Sequence, residues 1–153
     1  MMIKTIPFAS CIAAVLLLQL GGCVSTPTDT TQATLSKKTA IAGMPMTAWF
    51  FYELQKDCTS AGVPTILVTK HAAHGEVVSK KVDHFPEFPS TNPRSACNTQ
   101  KSPSAVVVYT PADNYVGLDQ FSIKAVFHDG QAMEKTFVVT VEAPPNTHAG
   151  AGQ

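Results

Sequence analysis

The sequence predicts an all-β fold built as a two-layer sandwich of about seven strands. Three observations point there. Valine, threonine and phenylalanine recur in short runs, and eleven prolines and nine glycines punctuate them; that is the composition of a turn-rich β protein. Several runs alternate apolar and polar residues with the two-residue period of a strand. Turn signals fall every 8–12 residues, the spacing of an immunoglobulin-like sandwich.

The chain begins with a secretory address. Lys4 supplies a positive n-region, Ile12–Leu18 with Leu20 an apolar core, and Gly21-Gly22 a small-residue cleavage site. The apolar stretch from Ile6 to Leu20 is shorter than the roughly 20 residues of a bilayer span, and Pro7 disfavours a continuous helix. Leu20-Gly21-Gly22-Cys23 reads as a lipobox. Cleavage before Cys23 and acylation of its thiol and new amine would leave several chains in lipid, which makes anchoring stable. The expected organisation is a signal peptide over residues 1–22 and an acylated Cys23 opening a flexible tether over 23–43. A folded domain over 44–143 and a flexible tail over 144–153 follow.

The tether expectation rests on Val24-Ser25-Thr26-Pro27-Thr28-Asp29-Thr30-Thr31, which has no apolar period. Within the domain, Trp49-Phe50-Phe51-Tyr52 suits a strand or a short helix. Thr65–Thr69 reads as a strand, His74-Gly75 as a turn, and Glu76–Ser79 as the returning arm of a hairpin. Pro86, Pro89, Pro93 and Pro103 interrupt any ladder over residues 84–104. Ala105–Tyr109 reads as a buried strand and Phe121–Phe127 as an alternating one. Asp129-Gly130 marks a hairpin turn, and Thr136–Val141 closes the domain.

Of four cysteines, Cys11 leaves with the signal and Cys23 takes lipid. Cys58 and Cys97 remain, in an oxidising compartment, and a single disulfide between them is expected. The competing reading is a catalytic thiol, which neither Asp57-Cys58-Thr59 nor Ala96-Cys97-Asn98 favours.

Net charge is zero at pH 7, so no basic footprint for nucleic acid is present. No G-x-S-x-G, H-E-x-x-H or phosphate-binding loop occurs, and an enzyme is not expected. His71 and His74, with His84, Met44 and Met46, are the candidate copper or zinc ligands, but a solvated turn explains the pair better and no cofactor is expected. Asp113, Asp119 and Asp129 are too scattered for calcium. Phe85-Pro86-Glu87-Phe88-Pro89 is either a loop pinned by the disulfide or one offered to a partner.

Two stretches resemble known families. Tyr109-Thr110-Pro111, Tyr115-x-Gly117-x-Asp119-x-Phe121, Asp129-Gly130 and the closing Val139-Thr140-Val141 resemble the last strands of bacterial immunoglobulin-like or cadherin-like domains. Asn114 stands where that pattern often has Gly, as the next best residue for left-handed backbone. Cys58-Thr59-Ser60-Ala61-Gly62-x-Pro64, His74-Gly75 and Cys97-Asn98 resemble a proteobacterial family of single-domain exported proteins with two cysteines. On the residues themselves, Gly117 allows a tight corner, Asp119 accepts from the backbone amides of that corner, and Tyr115 and Phe121 enter the core. Val24 after the acylated cysteine resembles lipoproteins sorted to the outer membrane. The expectation is therefore a lipid-anchored, non-catalytic binding or assembly module with an envelope protein or glycan as partner. The alternatives are a metal-binding protein and an envelope enzyme or enzyme inhibitor.

Overall fold

The computed structural model describes residues 34–145. The signal peptide, residues 23–33 of the expected tether including Cys23, and residues 146–153 of the expected tail lie outside them. The described chain is an immunoglobulin-like β-sandwich of eight strands. These are β1 (Thr34–Ile41), β2 (Met46–Leu54), β3 (Ser60–Gly62), β4 (Thr65–Lys70), β5 (Gly75–His84), β6 (Ser102–Pro111), β7 (Gly117–Val126) and β8 (Ala132–Glu142). One sheet has the order β1-β8-β7-β4 and the other β3-β2-β6-β5.

The β7–β8 hairpin forms where alternation and Asp129-Gly130 place it. Phe121, Ile123 and Ala125 on β7 and Phe137, Val139 and Val141 on β8 point inward and are buried, while Ser122 and Thr136 bond to each other outside. Opposite them β6 lies between β2 and β5, and its Ala105, Val107 and Tyr109 complete the core with Ala48 and Phe51 of β2. Tyr109, Phe121 and Phe137 stack in series across the interior, with ring centroids 5.4 and 4.8 Å apart. The aromatic run at 49–52 is a strand, not a helix, because β6 pairs with it from Met46 to Tyr52.

Three expectations differ from the structure. First, Thr34–Ile41, assigned to the tether, is a strand running parallel to β8 in unbroken register from Thr34↔Lys135 to Ile41↔Glu142. Its inward positions are Ser36, Lys38 and Ala40, too polar to give an apolar period. Second, Thr65–Thr69 and Glu76–Ser79 are not two arms of one hairpin. β4 pairs with β7 and β5 with β6, so His71–His74 crosses from one sheet to the other. Third, Cys58 is the one non-glycine residue with positive φ among the described residues, so Asn114 does not adopt the left-handed conformation.

The crossover is held by Asp119. Its Oδ1 accepts from the Ala73 amide at 3.0 Å and the Gln120 amide at 2.8 Å; its Oδ2 accepts from the His74 amide at 2.9 Å and the Tyr109 hydroxyl at 2.8 Å. Two of these donors lie about 45 residues away in sequence, in the crossover. A carboxylate on β7 thus joins its own sheet to β6 of the other and fixes the chain between β4 and β5. Gly75 follows because a Cβ there would lie 2.5 Å from the Tyr109 ring and 2.6 Å from the Thr110 carbonyl. Phe121 enters the core as expected, whereas Tyr115 is only partly buried and stacks on the His74 ring at 3.8 Å. Gly117, at φ +145°, lets Tyr115 fold back so that its hydroxyl donates to the Leu118 carbonyl.

Cys58 and Cys97 form the expected disulfide, between the β2–β3 turn and a short 3-10 turn over Ser95–Thr99. Cys97 is fully buried. The proline-rich excursion is then tied down in sequence. Arg94 donates through Nε to the Leu54 carbonyl at 2.6 Å, and Asn98 makes a two-bond amide clamp on the Phe88 backbone at 3.0 and 2.9 Å. At the same end of the sandwich, opposite the Asp119 corner, Glu53 of β2 accepts from the His128 amide at 3.0 Å and meets its Nδ1 at 2.7 Å, joining β2 to the β7–β8 turn.

Two predictions follow from these ties. The disulfide closes a loop with a sequence separation of 39, so the Cys58→Ser/Cys97→Ser variant loses about 4 kcal/mol in the chain-entropy account, measured by urea unfolding. Asp119→Asn places an amide nitrogen against two donors and costs about 2–3 kcal/mol. Burial pushes the Asp119 carboxyl up, but the bonds from Tyr109, Ala73, His74 and Gln120 outweigh it and hold its pKa below the ordinary value. Its contribution is therefore present above the ordinary carboxylate range and lost as pH falls through the depressed pKa. Unfolding titrations should show that acid-side loss in the wild type and its reduction in Asp119→Asn.

Candidate functional site

On the β1–β2 side of the sandwich the sheets part over a groove of about 480 Å³. Its floor is the run Thr47–Tyr52 of β2. One wall comes from Lys38 of β1, Met133 of β8 and Phe127; the other is Glu87, Phe88 and Pro89 of the excursion. Each element is there for a local reason. β2 carries a bulge between Thr47 and Trp49, which turns Trp49 out of the strict strand phase. Trp49 keeps 39% of its surface exposed although it stands on a strand with a buried face. The disulfide and the Asn98 clamp hold the Phe88 wall at a fixed height beside β2.

The electrostatics of the groove are unusual for a sandwich edge. Lys135 shares the inward phase of β8 with Phe137, Val139 and Val141, and only 6% of it is exposed. Its Nζ sits 3.9 Å from the centre of the Trp49 ring and 5.9 Å from that of Phe137, and Lys38 Nζ lies over Trp49 at 5.5 Å. Among the described residues neither ammonium has a carboxylate partner; the ion pairs there are Lys124–Glu134 and, when the imidazole is protonated, His128–Glu53. Burial, reinforced by the neighbouring Lys38 charge, holds the Lys135 pKa below the ordinary lysine value. Attraction to the indole face offsets part of that burial cost, and two cations share one aromatic ring.

The other end of the floor is polar in a different way. Phe50 stacks on His84 at 3.9 Å, and the Tyr52 hydroxyl donates to the Phe85 carbonyl at 3.0 Å while meeting His84 Nδ1 at 2.8 Å. Both bonds hold if the imidazole carries its proton on Nδ1. Burial first, and the nearby Glu87 carboxylate second, push the Tyr52 pKa up to about 12. The groove therefore runs from a basic, indole-floored end to an acidic, phenol-floored one.

The residues singled out from sequence fall in other places. Asp119, Tyr115, Gly117 and Phe121 belong to the inter-sheet tie at the opposite corner. His74 is engaged with Tyr115, His71 is exposed on the crossover, and Met44 is exposed in the β1–β2 turn. Among the described residues no group of three or more His, Cys, Asp or Glu side chains is arranged to hold a metal. Phe88 joins the groove wall, while Phe85 remains 45% exposed with the Lys101 ammonium 5.8 Å over its ring. Lys135 was not among the expected site residues. Its signal is a lysine standing in the apolar phase of an alternating strand.

Replacing Lys135 by methionine removes a near-buried unpaired charge and keeps the side-chain volume. Stability of Lys135→Met at neutral pH should be unchanged or raised by up to about 2 kcal/mol. Because the folded pKa is depressed, the wild-type cost is relieved as pH rises through that pKa, so any advantage of Lys135→Met should shrink in alkaline unfolding titrations.

No protein-family model and no curated sequence matches the chain. Among the solved structures that match are the following three. An endo-fucoidan hydrolase of glycoside hydrolase family 107 is 11% identical at a TM-score of 0.40, covering 73% of this chain and 13% of its own. Amebosin is 7% identical at 0.38 over 72% of this chain and 98% of its own. A 2,6-sialyltransferase from Photobacterium sp. is 16% identical at 0.31 over 75% and 19%. The chain thus spans about an eighth of the hydrolase's length.

Proposed function

We propose that this chain is a lipoprotein of the bacterial cell envelope, acylated at Cys23, that presents the sandwich as a non-catalytic binding or assembly module. The anchor rests on Leu20-Gly21-Gly22-Cys23 and the apolar run before it. Val24 favours delivery to the outer membrane. A disulfide between Cys58 and Cys97 accords with an exported domain.

The observation that carries the module reading is the groove at Trp49. It combines a half-exposed indole, two ammonium groups lacking carboxylate partners and a wall fixed by a disulfide. Rigid aromatic surface beside unsatisfied charge is equipment for holding a ligand, because binding recovers attraction that the free domain leaves unused. An envelope protein or a glycan suits that surface.

Two measurements test the reading. Cells given labelled palmitate should incorporate it into the wild type, which sediments with outer membranes; Cys23→Ser should take no label and be lost from the outer-membrane fraction. An unlabelled wild type removes the anchor. A photo-crosslinking residue placed at Met133 should yield a discrete adduct in intact cells, lost in Trp49→Ala. Adducts that persist in Trp49→Ala, or none at all, remove the groove as the binding site.

A further inference from the structure

The floor of the groove is the edge of a strand. In its sheet β2 lies between β3 and β6, but β3 reaches only Glu53 and Leu54. Among the described residues, Met46–Tyr52 are paired to β6 on one side and have no ladder on the other. A strand edge offers alternate N–H and C=O groups in a row, and an open one invites another strand. The bulge blocks continuous pairing before Trp49, which leaves Trp49–Tyr52 as the receptive stretch. At Leu54 the edge is closed by the Arg94 guanidinium.

We propose that the groove takes an extended peptide of a partner protein as an added strand on Trp49–Tyr52, with an acidic side chain of that peptide seated at Lys38 beside the Trp49 ring. The proposal rests on the reading of the chain as a binding module and names its ligand class. Side chains of an added strand alternate across the sheet. Those facing inward meet Lys38 and Met133, with the buried Lys135 adding positive charge behind the Trp49 ring, so one acid flanked by apolar residues matches both charge and surface. Glu87 beside Tyr52 repels an acid at the other end and so favours the register that puts it at Lys38. A saccharide would stack on Trp49 but leave the row of main-chain groups unpaired, whereas a strand satisfies both.

Trp49 is the only tryptophan of the chain, so its fluorescence reports this groove directly. The probe is an acetylated heptapeptide alternating valine and threonine around one central glutamate, titrated into the full chain. The expected result is a saturable change in Trp49 emission. N-methylation of alternate peptide amides should weaken binding about tenfold or more, and glutamine in place of the glutamate should weaken it several-fold. In Lys38→Gln the preference for the glutamate peptide over the glutamine peptide should shrink.

Equal binding of the N-methylated peptide, or no response to the parent peptide, overturns the proposal. A response to an oligogalacturonate without one to the peptides overturns it and keeps the binding-module reading; no response to either, with no crosslink at Met133, removes both. A peptide-free emission change that grows with protein concentration gives the edge to a second copy. A peptide response that appears only after Asp29→Lys gives it to the chain's own leading residues. Either result overturns the proposal.

Discussion

Four hydrogen bonds onto one carboxylate decide how this sandwich is closed. Asp119 stands on β7, yet besides the neighbouring Gln120 amide its acceptor sites are filled by a hydroxyl from the opposite sheet and by two amides of the crossover. A buried charge is tolerable only when its oxygens are satisfied, so the crossover has to come to it. That demand places Gly75 against Tyr109, separates β4 from β5, and leaves Tyr115 stacked on His74 instead of inside the core. Burial and the bond to Asp119 also push the Tyr109 phenol well above its ordinary pKa, keeping it a donor.

Glu53 and His128 make a second tie between the sheets, at the other end of β2 and β7. Between the two ties the interior is a stack of aromatic rings and needs no further polar fastening. The groove opens on the flank, where β1 alone covers the end of the core. There the inward phase changes from phenylalanine to lysine and the opposing strand bulges. The same local departures from regular sheet that weaken packing at this flank expose the indole and the main-chain edge.

What the sequence made legible follows from how local the information is. β7 and β8 declare themselves because alternation and the Asp129-Gly130 turn are contiguous, and the disulfide because only two thiols remain. β1 hides because its inward residues are Ser36, Lys38 and Ala40 and its partner is the last strand. The β4–β5 hairpin was a false reading for a related reason. His74-Gly75 is a good local turn, but Asp119, far along the chain, directs where its arms go. Asp119 was recognised as a hydrogen-bond acceptor, though the amides it captures come mostly from the crossover and not from its own corner. At the candidate site Trp49 and Phe88 were visible as aromatics, while Lys135 became meaningful only beside the ring it covers.

The parallel pairing of β1 with β8 has a mechanical consequence. Thr34 lies against Lys135 and Ile41 against Glu142, so the two strands point the same way. Tension applied backward at Thr34 and forward at Glu142 acts along both strands at once. All eight residue pairs of the register then bear load together in shear, instead of opening one after another like a zip. Pulled from its two ends, the domain resists along its strongest direction.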